Sequence, residues 1–304
     1  MKGTAVAFGA LLVATLFWAG NYVVGGAAVS TFAPLDLVAF RWAIAVLPLF
    51  ALAHLVERPD WRQVFGRWRT AVVPALIGLL GYNVLLYTAL QHTDAVNASL
   101  INAFNPALIS LGATLFFRQR LTPLAILGVV VALAGVLWVL SGGNPASLLS
   151  TGFGVGDLLM LGAITAWTAY SLMGRRASGA HPIANTAVQA LVAVVVMVPV
   201  VVLTGGPHVP AGTGTVLVLL FVGLGPSVVS YVMWNRALMT IPPARAGVFL
   251  NLITVFTVVM SAALGKPVTA AEILGGAVVL VGVAMTNADA FRRPARDEEA
   301  SRPD

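Results

Sequence analysis

Two sets of aromatic and polar residues recur at one helical spacing in the two halves of the chain. In each, a tryptophan is followed by tyrosine or other polar residues three and four positions on and by glycine at the seventh, which places them on one helix face. The sets are Trp18, Asn21, Tyr22 and Gly25, and Trp167, Tyr170, Ser171 and Gly174. Tryptophan and tyrosine combine apolar surface with a hydrogen-bonding tip, so the matched faces favour a cavity for an amphipathic solute. The alternative is an interfacial belt or helix packing.

Other polar residues interrupt stretches that are otherwise apolar. They are Tyr82 and Asn83, Asn102 within the run DAVNASLINAFNP, and Ser230, Tyr231 and Trp234. An asparagine face pointing at lipid is costly, so such a face should contact protein or water. Pro106 removes a backbone hydrogen bond beside Asn102, which is tolerated where the freed carbonyl lines a cavity. Two alternatives stay open: an ordinary kink at Pro106, and interhelical hydrogen bonding by the other polar residues.

Arg41 is the one ionisable residue that falls well inside an apolar stretch. An intramembrane charge is a functional candidate by default, and this one could bind a substrate carboxylate. It could equally extend along the helix and pair with Asp36 or Asp94. The internal repeat described below places the neutral Gln189 at the equivalent position, which argues for caution.

Other chemistry is poorly supported by the sequence. The chain has no cysteine, so disulfides, thiol catalysis and thiolate metal sites are excluded. The glycines of GFGVGD lack the strand and spacing of a dinucleotide-binding loop, and the four histidines are scattered near span ends. We therefore expect no cofactor and no metal.

The composition is that of a polytopic membrane protein. Hydrophobic residues make up 59% of the chain, charged residues 9%, and the mean hydropathy is +0.93; a soluble domain carries about 25% charge. Apolar stretches of spanning length predict an all-α membrane protein with ten transmembrane helices. Their approximate bounds are 4–28, 35–55, 71–90, 95–117, 121–140, 157–174, 183–203, 215–236, 244–264 and 268–288.

The basic residues predict the orientation. Of the 17 lysines and arginines, only Lys266 falls in the set of loops opposite the N-terminus, and only Arg41 falls within a span. The positive-inside rule then puts both termini in the cytoplasm, so a cytoplasmic membrane is the expected location. It also accounts for the net charge of +6 without a nucleic-acid partner. The segment 291–304 should be a disordered cytoplasmic tail.

A long repeat divides the chain into two halves. The stretches 121–139 and 268–286 share eight of nineteen residues, including Gly128 with Gly275 and Gly135 with Gly282. Five spans per half is an odd number, so the second half must enter the membrane from the opposite side. We predict two inverted five-helix repeats, at 1–145 and 150–290, around a central cavity. The two glycine strips permit close helix packing, within the protomer or across a dimer.

Several segments resemble the EamA-type members of the drug/metabolite transporter superfamily. They are TLFWAGNYV, the entry from Pro34 to Trp42, ALQHTDAVNASLINAFNPALISL, and LTPLAILGVVVALAGVLWV. Size and layout are similar to bacterial amino-acid exporters, including the aromatic ones. The resemblance implies alternating access, with spans one to four and six to nine around the cavity. Spans five and ten would be peripheral and available for contact in a homodimer.

These observations predict an inner-membrane exporter of small metabolites, with neutral and aromatic amino acids as the leading class. The predicted binding residues are Trp18, Asn21, Tyr22, Arg41, Tyr82, Asn83, Asn102, Trp167, Tyr170, Ser230, Tyr231 and Trp234. The alternatives are export of another metabolite or drug class, an intramembrane lipid-modifying enzyme, and a non-transporting scaffold. An enzyme needs an acid, base or metal cluster at one membrane depth, and the sequence shows none.

Overall fold

The computed structural model describes residues 2–117, 121–146, 153–176, 181–240, 249–286 and 288, and these residues form helices joined by short connections. The helices are α1 (Lys2–Ala28), α2 (Pro34–Glu57), α3 (Trp68–Ala89), α4 (Ala95–Asn102 continued by Asn105–Phe117), α5 (Pro123–Leu140), α6 (Val155–Arg176), α7 (Pro182–Leu203), α8 (Thr213–Leu238), α9 (Asn251–Ala263) and α10 (Ala270–Thr286). A short additional helix, Trp61–Gly66, lies between α2 and α3. The predicted tail 291–304 is outside the described residues.

Eight of these helices, α1 to α8, are long and apolar enough to cross a bilayer. The other two, α9 and α10, are apolar but shorter, at 13 and 17 residues. The predicted ninth span begins at 244, and residues 241–248 lie outside the described part of the chain. The all-helical membrane fold is confirmed in this coarser form, and the count of ten spans stays a prediction.

Large apolar side chains cover the outer surface of the helices. Leu47, Leu115 and Leu203 are 75%, 72% and 85% exposed in the isolated chain. In water such a surface would mark an aggregation liability or an interface. On a bundle of spanning length it is the surface that hydrocarbon covers, because a lipid-facing helix presents only apolar groups.

Helix starts follow local sequence signals, and one of these signals recurs in the repeat. The Thr122 side chain accepts a hydrogen bond from the backbone N–H of Ala125 at the start of α5. Its repeat partner Thr269 forms a reciprocal pair with Glu272 at the start of α10, with distances of 2.6 and 3.2 Å. Both threonines satisfy N–H groups that the first helical turn leaves without partners.

Helices α5 and α10 pack against each other through their glycines. A Cβ atom on Gly128 would lie 2.5 Å from the carbonyl oxygen of Gly282, and one on Gly135 would lie 2.7 Å from the backbone nitrogen of Val279. Such distances are too short for any side chain, so the backbones meet only because glycine is present. The two predicted strips therefore contact each other within one protomer.

Helices α2 and α7 pair across the two halves, and a carboxylate secures each end of the pair. Glu57 accepts hydrogen bonds of 2.8 and 2.9 Å from the backbone N–H groups of Ile183 and Ala184, the first turn of α7. Asp36 accepts one of 3.2 Å from the backbone N–H of His208, beyond the other end of α7. A carboxylate at a helix start satisfies N–H groups and opposes the helix dipole.

Three helices depart from regular α geometry near the middle of the bundle. Helix α3 widens into a π-helical segment at Ala75–Gly81, directly after Pro74, and α8 does so at Gly225–Val229, around Pro226. Helix α4 is interrupted between Asn102 and Asn105, just before Pro106. Such irregularities release carbonyl groups from the regular hydrogen-bond pattern and recur at functional sites. Side chains donate to carbonyls of the two π segments, as described below.

A candidate substrate-binding cavity

A small, largely enclosed cavity of about 30 Å³ lies among the irregular helices. Its walls come from α1, α2, α3, α4, α6, α8 and the start of α9, and so from both halves of the chain. The lining residues are Trp18, Asn21, Tyr22, Arg41, Tyr82, Asn83, Asn102, Asn105, Trp167, Tyr231, Leu250 and Ile253.

Nine of the twelve predicted binding residues line this cavity, and three do not. The Ser230 hydroxyl instead donates to the carbonyl oxygen of Ala14, at 2.9 Å. Trp234 packs behind Trp18, with ring centroids 5.5 Å apart. Tyr170 lies beside Trp167 over Gly78, where any side chain larger than hydrogen would collide with its ring. The sequence predicted that these three residues lie in the cavity wall. In the structure they lie beside the cavity and not in its wall.

Three lining residues were not among those predicted. Asn105 shares the polar face of α4 with Asn102, and that face was the signal that could have included it. Leu250 and Ile253 are ordinary apolar residues at the start of α9. Nothing in their type or spacing distinguishes a cavity wall from a packing contact.

The two aromatic faces meet in the middle of the molecule. The rings of Trp18 and Trp167 are in edge-to-face contact with centroids 6.3 Å apart, and Tyr82 lies 5.1 Å from Trp167. Tyr231 approaches Trp18 at 5.8 Å. In this structure the rings of the two faces contact each other, and the cavity that they line is small.

The remaining volume corresponds to about one water molecule. Ligand pockets for small molecules usually measure about 300 Å³ or more, so the cavity of about 30 Å³ is closed to an organic solute. Admission of a solute requires the aromatic rings to separate.

Arg41 lines the cavity and is 3% exposed. Its Nη1 donates to Asn21 Oδ1 at 3.0 Å and to the Tyr87 hydroxyl at 2.8 Å, and that hydroxyl donates to the same Asn21 oxygen at 2.7 Å. Its Nε has no hydrogen-bond partner. The guanidinium also lies 5.4 Å from the ring centroid of Trp42. Arg41 is thus a buried cation whose partners are neutral.

Neither expected ion pair of Arg41 forms. Asp36 accepts from His208 instead, and Asp94 caps α4 by accepting from the backbone N–H of Asn97 at 2.9 Å. Both carboxylates lie at helix ends, whereas Arg41 lies two turns into α2. Within the part of the chain that the structure describes, no carboxylate neutralises Arg41.

Side chains donate to one carbonyl of each π segment. Leu79 O accepts from the Trp42 indole N–H at 3.2 Å and from Asn83 Nδ2 at 2.7 Å. Pro226 O accepts from the Trp18 indole N–H at 3.1 Å. These hydrogen bonds hold Asn83 and Trp18, which both line the cavity.

A second, larger depression lies away from this cavity. It measures about 530 Å³ and is lined by the loop between α3 and α4, with His92 and Asp94, and by Lys266. These three residues are exposed. Because the depression is open to solvent and encloses little apolar surface, it is a weaker candidate for binding a small molecule.

Comparison with known proteins identifies the family. A model of the EamA-like transporter family matches residues 6–141 and again residues 154–288. An uncharacterized transporter of Bacillus subtilis, YyaM, is 26% identical over 93% of this chain and 94% of its own length. The threonine/homoserine exporter RhtA of Escherichia coli is 30% identical over 56% of this chain and 53% of its own.

A protein of known crystal structure shares the fold. It superposes with a TM-score of 0.67 at 21% sequence identity, covering 96% of this chain and 98% of that one. Because the family model matches both halves, the resemblance seen in the sequence motifs is confirmed. The chain belongs to the EamA-like transporter family.

Proposed function

We propose that this protein exports small amphipathic metabolites that carry a carboxylate, with neutral and aromatic amino acids as the leading class. The observation that supports this most is Arg41, a buried cation with neutral partners and a free Nε in the wall of an aromatic cavity. A substrate carboxylate would supply the counter-charge that the described residues do not, through charge-assisted hydrogen bonds.

The walls around Arg41 favour an amphipathic rather than a fully polar substrate. Trp18, Tyr82, Trp167 and Tyr231 offer ring surfaces with few hydrogen-bonding atoms. The match to a threonine/homoserine exporter, over about half of each chain, is consistent with this class.

Transport would proceed by alternating access between inverted halves. In the structure described above, Trp18 of the first half contacts Trp167 of the second at the cavity. A substrate that occupies the place of these contacts would hold the rings apart, and each half would open toward one membrane face. The charge distribution supports placing both termini in the cytoplasm of a bacterial inner membrane.

The proposal is tested with purified protein in liposomes loaded with labelled L-phenylalanine, L-leucine, L-threonine or L-lysine. We expect protein-dependent efflux of the neutral amino acids, fastest for those with large apolar side chains. Liposomes without protein give the background. Efflux at background rates for every member of the panel would refute the amino-acid class.

A further inference from the structure

We propose that Asn83 and Arg41 together recognise the head group of an α-amino acid, Asn83 Oδ1 accepting from the ammonium and Arg41 Nε donating to the carboxylate. This inference rests on the proposed function and names the two subsites within it. Both residues line the same cavity, and each contributes one buried polar atom that has no hydrogen-bond partner.

The orientation of the Asn83 amide follows from its surroundings. Leu79 O is an acceptor only, so the group 2.7 Å from it must be the amide nitrogen of Asn83. The Asn83 oxygen then points away from Leu79 and is left without a donor. Leu79 lies within the π segment at Ala75–Gly81, four residues before Asn83.

Two other asparagines that line the cavity have side-chain oxygens that already accept hydrogen bonds. Asn21 Oδ1 accepts from Arg41 and from Tyr87, and Asn105 Oδ1 accepts from the Thr168 hydroxyl at 3.0 Å. Asn83 is 1% exposed, and its unpaired oxygen costs free energy that a bound donor would recover. This acceptor is therefore available for a substrate.

Among the described residues, the cavity offers an ammonium group neutral acceptors only. Every carboxylate of the described helices lies within the first turn or at the last residue of its helix, as Asp36, Asp157 and Glu57 do, and so away from the centre. The ammonium can be stabilised by the amide oxygen and by the adjoining aromatic faces, through cation–π attraction. Arg41, as the cation of the site, repels the ammonium and so directs it to the Asn83 side.

Both residues border the same small cavity, which is where one head group would bind. Asn83 and Arg41 border a space of about 30 Å³, and the carboxylate and ammonium of an α-amino acid are attached to a single carbon atom. The side chain of the amino acid would then extend among Trp18, Trp167 and Tyr231.

The test compares three ligands of the same aromatic body: L-phenylalanine, 3-phenylpropionate, which lacks the ammonium, and phenethylamine, which lacks the carboxylate. Affinity is measured by thermal stabilisation of the purified protein in detergent, at several concentrations of each ligand. The wild type should bind L-phenylalanine at least about tenfold more tightly than either analogue, since each lost charged hydrogen bond has about that effect.

Asn83→Leu should abolish the difference between L-phenylalanine and 3-phenylpropionate while leaving 3-phenylpropionate affinity within about threefold of wild type. Leu79 O retains the Trp42 indole as a donor in this variant, which favours folding. Asn251→Leu is the matched control, because Asn251 Oδ1 is also buried and unpaired but does not line the cavity. This control should keep the wild-type preference.

The outcomes separate the inference from the proposed function. If Asn83→Leu keeps the wild-type preference for L-phenylalanine, the ammonium subsite is elsewhere. If Asn83→Leu does not fold, the wild-type ligand series still decides, since equal affinity for L-phenylalanine and 3-phenylpropionate excludes an ammonium subsite and leaves carboxylate export standing. Affinity of the wild type for none of the three ligands would overturn both proposals.

Discussion

Arg41 occupies a setting that is unusual for an arginine within a membrane span. A charged side chain at the centre of a bilayer costs about 2.5–3.5 kcal/mol on insertion scales. Here the guanidinium donates hydrogen bonds to an amide oxygen and a phenolic hydroxyl and lies beside the Trp42 ring. These contacts hold the guanidinium in place without neutralising it, which leaves it suited to bind an anion.

Replacement of Arg41 by glutamine tests this role. The variant retains an amide donor but loses the charge, so efflux of all carboxylate-bearing substrates should fall by about 10-fold or more, regardless of side chain. Efflux rates from liposomes give the measurement. Arg69→Gln is the control, because Arg69 is exposed beside Trp68 and should transport normally. Wild-type rates in Arg41→Gln would assign Arg41 a structural role only.

Trp167 should determine preference among side chains rather than binding of the head group. Its ring contacts Trp18, Tyr82 and Tyr170, so Trp167→Ala removes much of one apolar wall. We expect efflux of L-phenylalanine to fall about 10-fold and that of L-threonine much less, because lost apolar contact scales with buried area. Trp138→Ala, on the exposed face of α5, is the control. An equal loss for both substrates would indicate a packing role.

At the scale of single helices, the glycine contact between α5 and α10 joins the two halves at their repeated segments. Gly128 and Gly135 face Gly282 and Gly275 so closely that backbone atoms are the nearest neighbours. This packing occupies the strips within the protomer. A homodimer through spans five and ten would have to use their other faces, where Ile126 and Ile273 are more than half exposed.

Gly282→Leu should destabilise this pair. A Cβ atom there would overlap the backbone of Ala132, so the helices must separate, at a cost of about 1–3 kcal/mol or more. Folded yield and thermal stability in detergent should both fall. Gly9→Leu is the matched control, since nothing lies within 4 Å of a Cβ atom at Gly9 in α1. Unchanged stability of Gly282→Leu would mean that the two helices do not pack through this strip.

Helix faces could be predicted from the sequence more fully than the cavity they enclose. The spacing of Trp18 and Tyr22, and of Trp167 and Tyr170, follows from helical periodicity alone. Whether a side chain at the edge of such a face reaches the cavity depends on local unwinding, as at Ala75–Gly81, and on neighbours such as Gly78, which admits Tyr170. The closed state depends on side-chain rotamers, which periodicity does not specify.

At the scale of the whole molecule, the two halves meet along α2 and α7 and through the cavity. Glu57 and Asp36 secure opposite ends of the α2–α7 pair, as halves of opposite orientation would favour. Each carboxylate accepts from backbone N–H groups, so these ties do not depend on the identity of the residues that donate. If the protein opens toward either membrane face, we expect the aromatic contacts to separate before the α2–α7 pair does.

The orientation of the whole bundle can be tested with single cysteines, because the native chain has none. Arg67 precedes α3 and Ala146 follows α5, and both are exposed. Two helices of spanning length, α1 and α2, precede Arg67 and five, α1 to α5, precede Ala146. The two positions therefore lie on opposite sides of the membrane if each of these helices crosses it. The excess of arginine around position 67 predicts that this loop is cytoplasmic. In intact cells, a membrane-impermeant maleimide should therefore label Ala146→Cys and leave Arg67→Cys unlabelled until the membrane is permeabilised.

Labelling of Arg67→Cys alone would reverse the orientation. Labelling of both positions in intact cells would mean that one of the intervening helices does not span the bilayer.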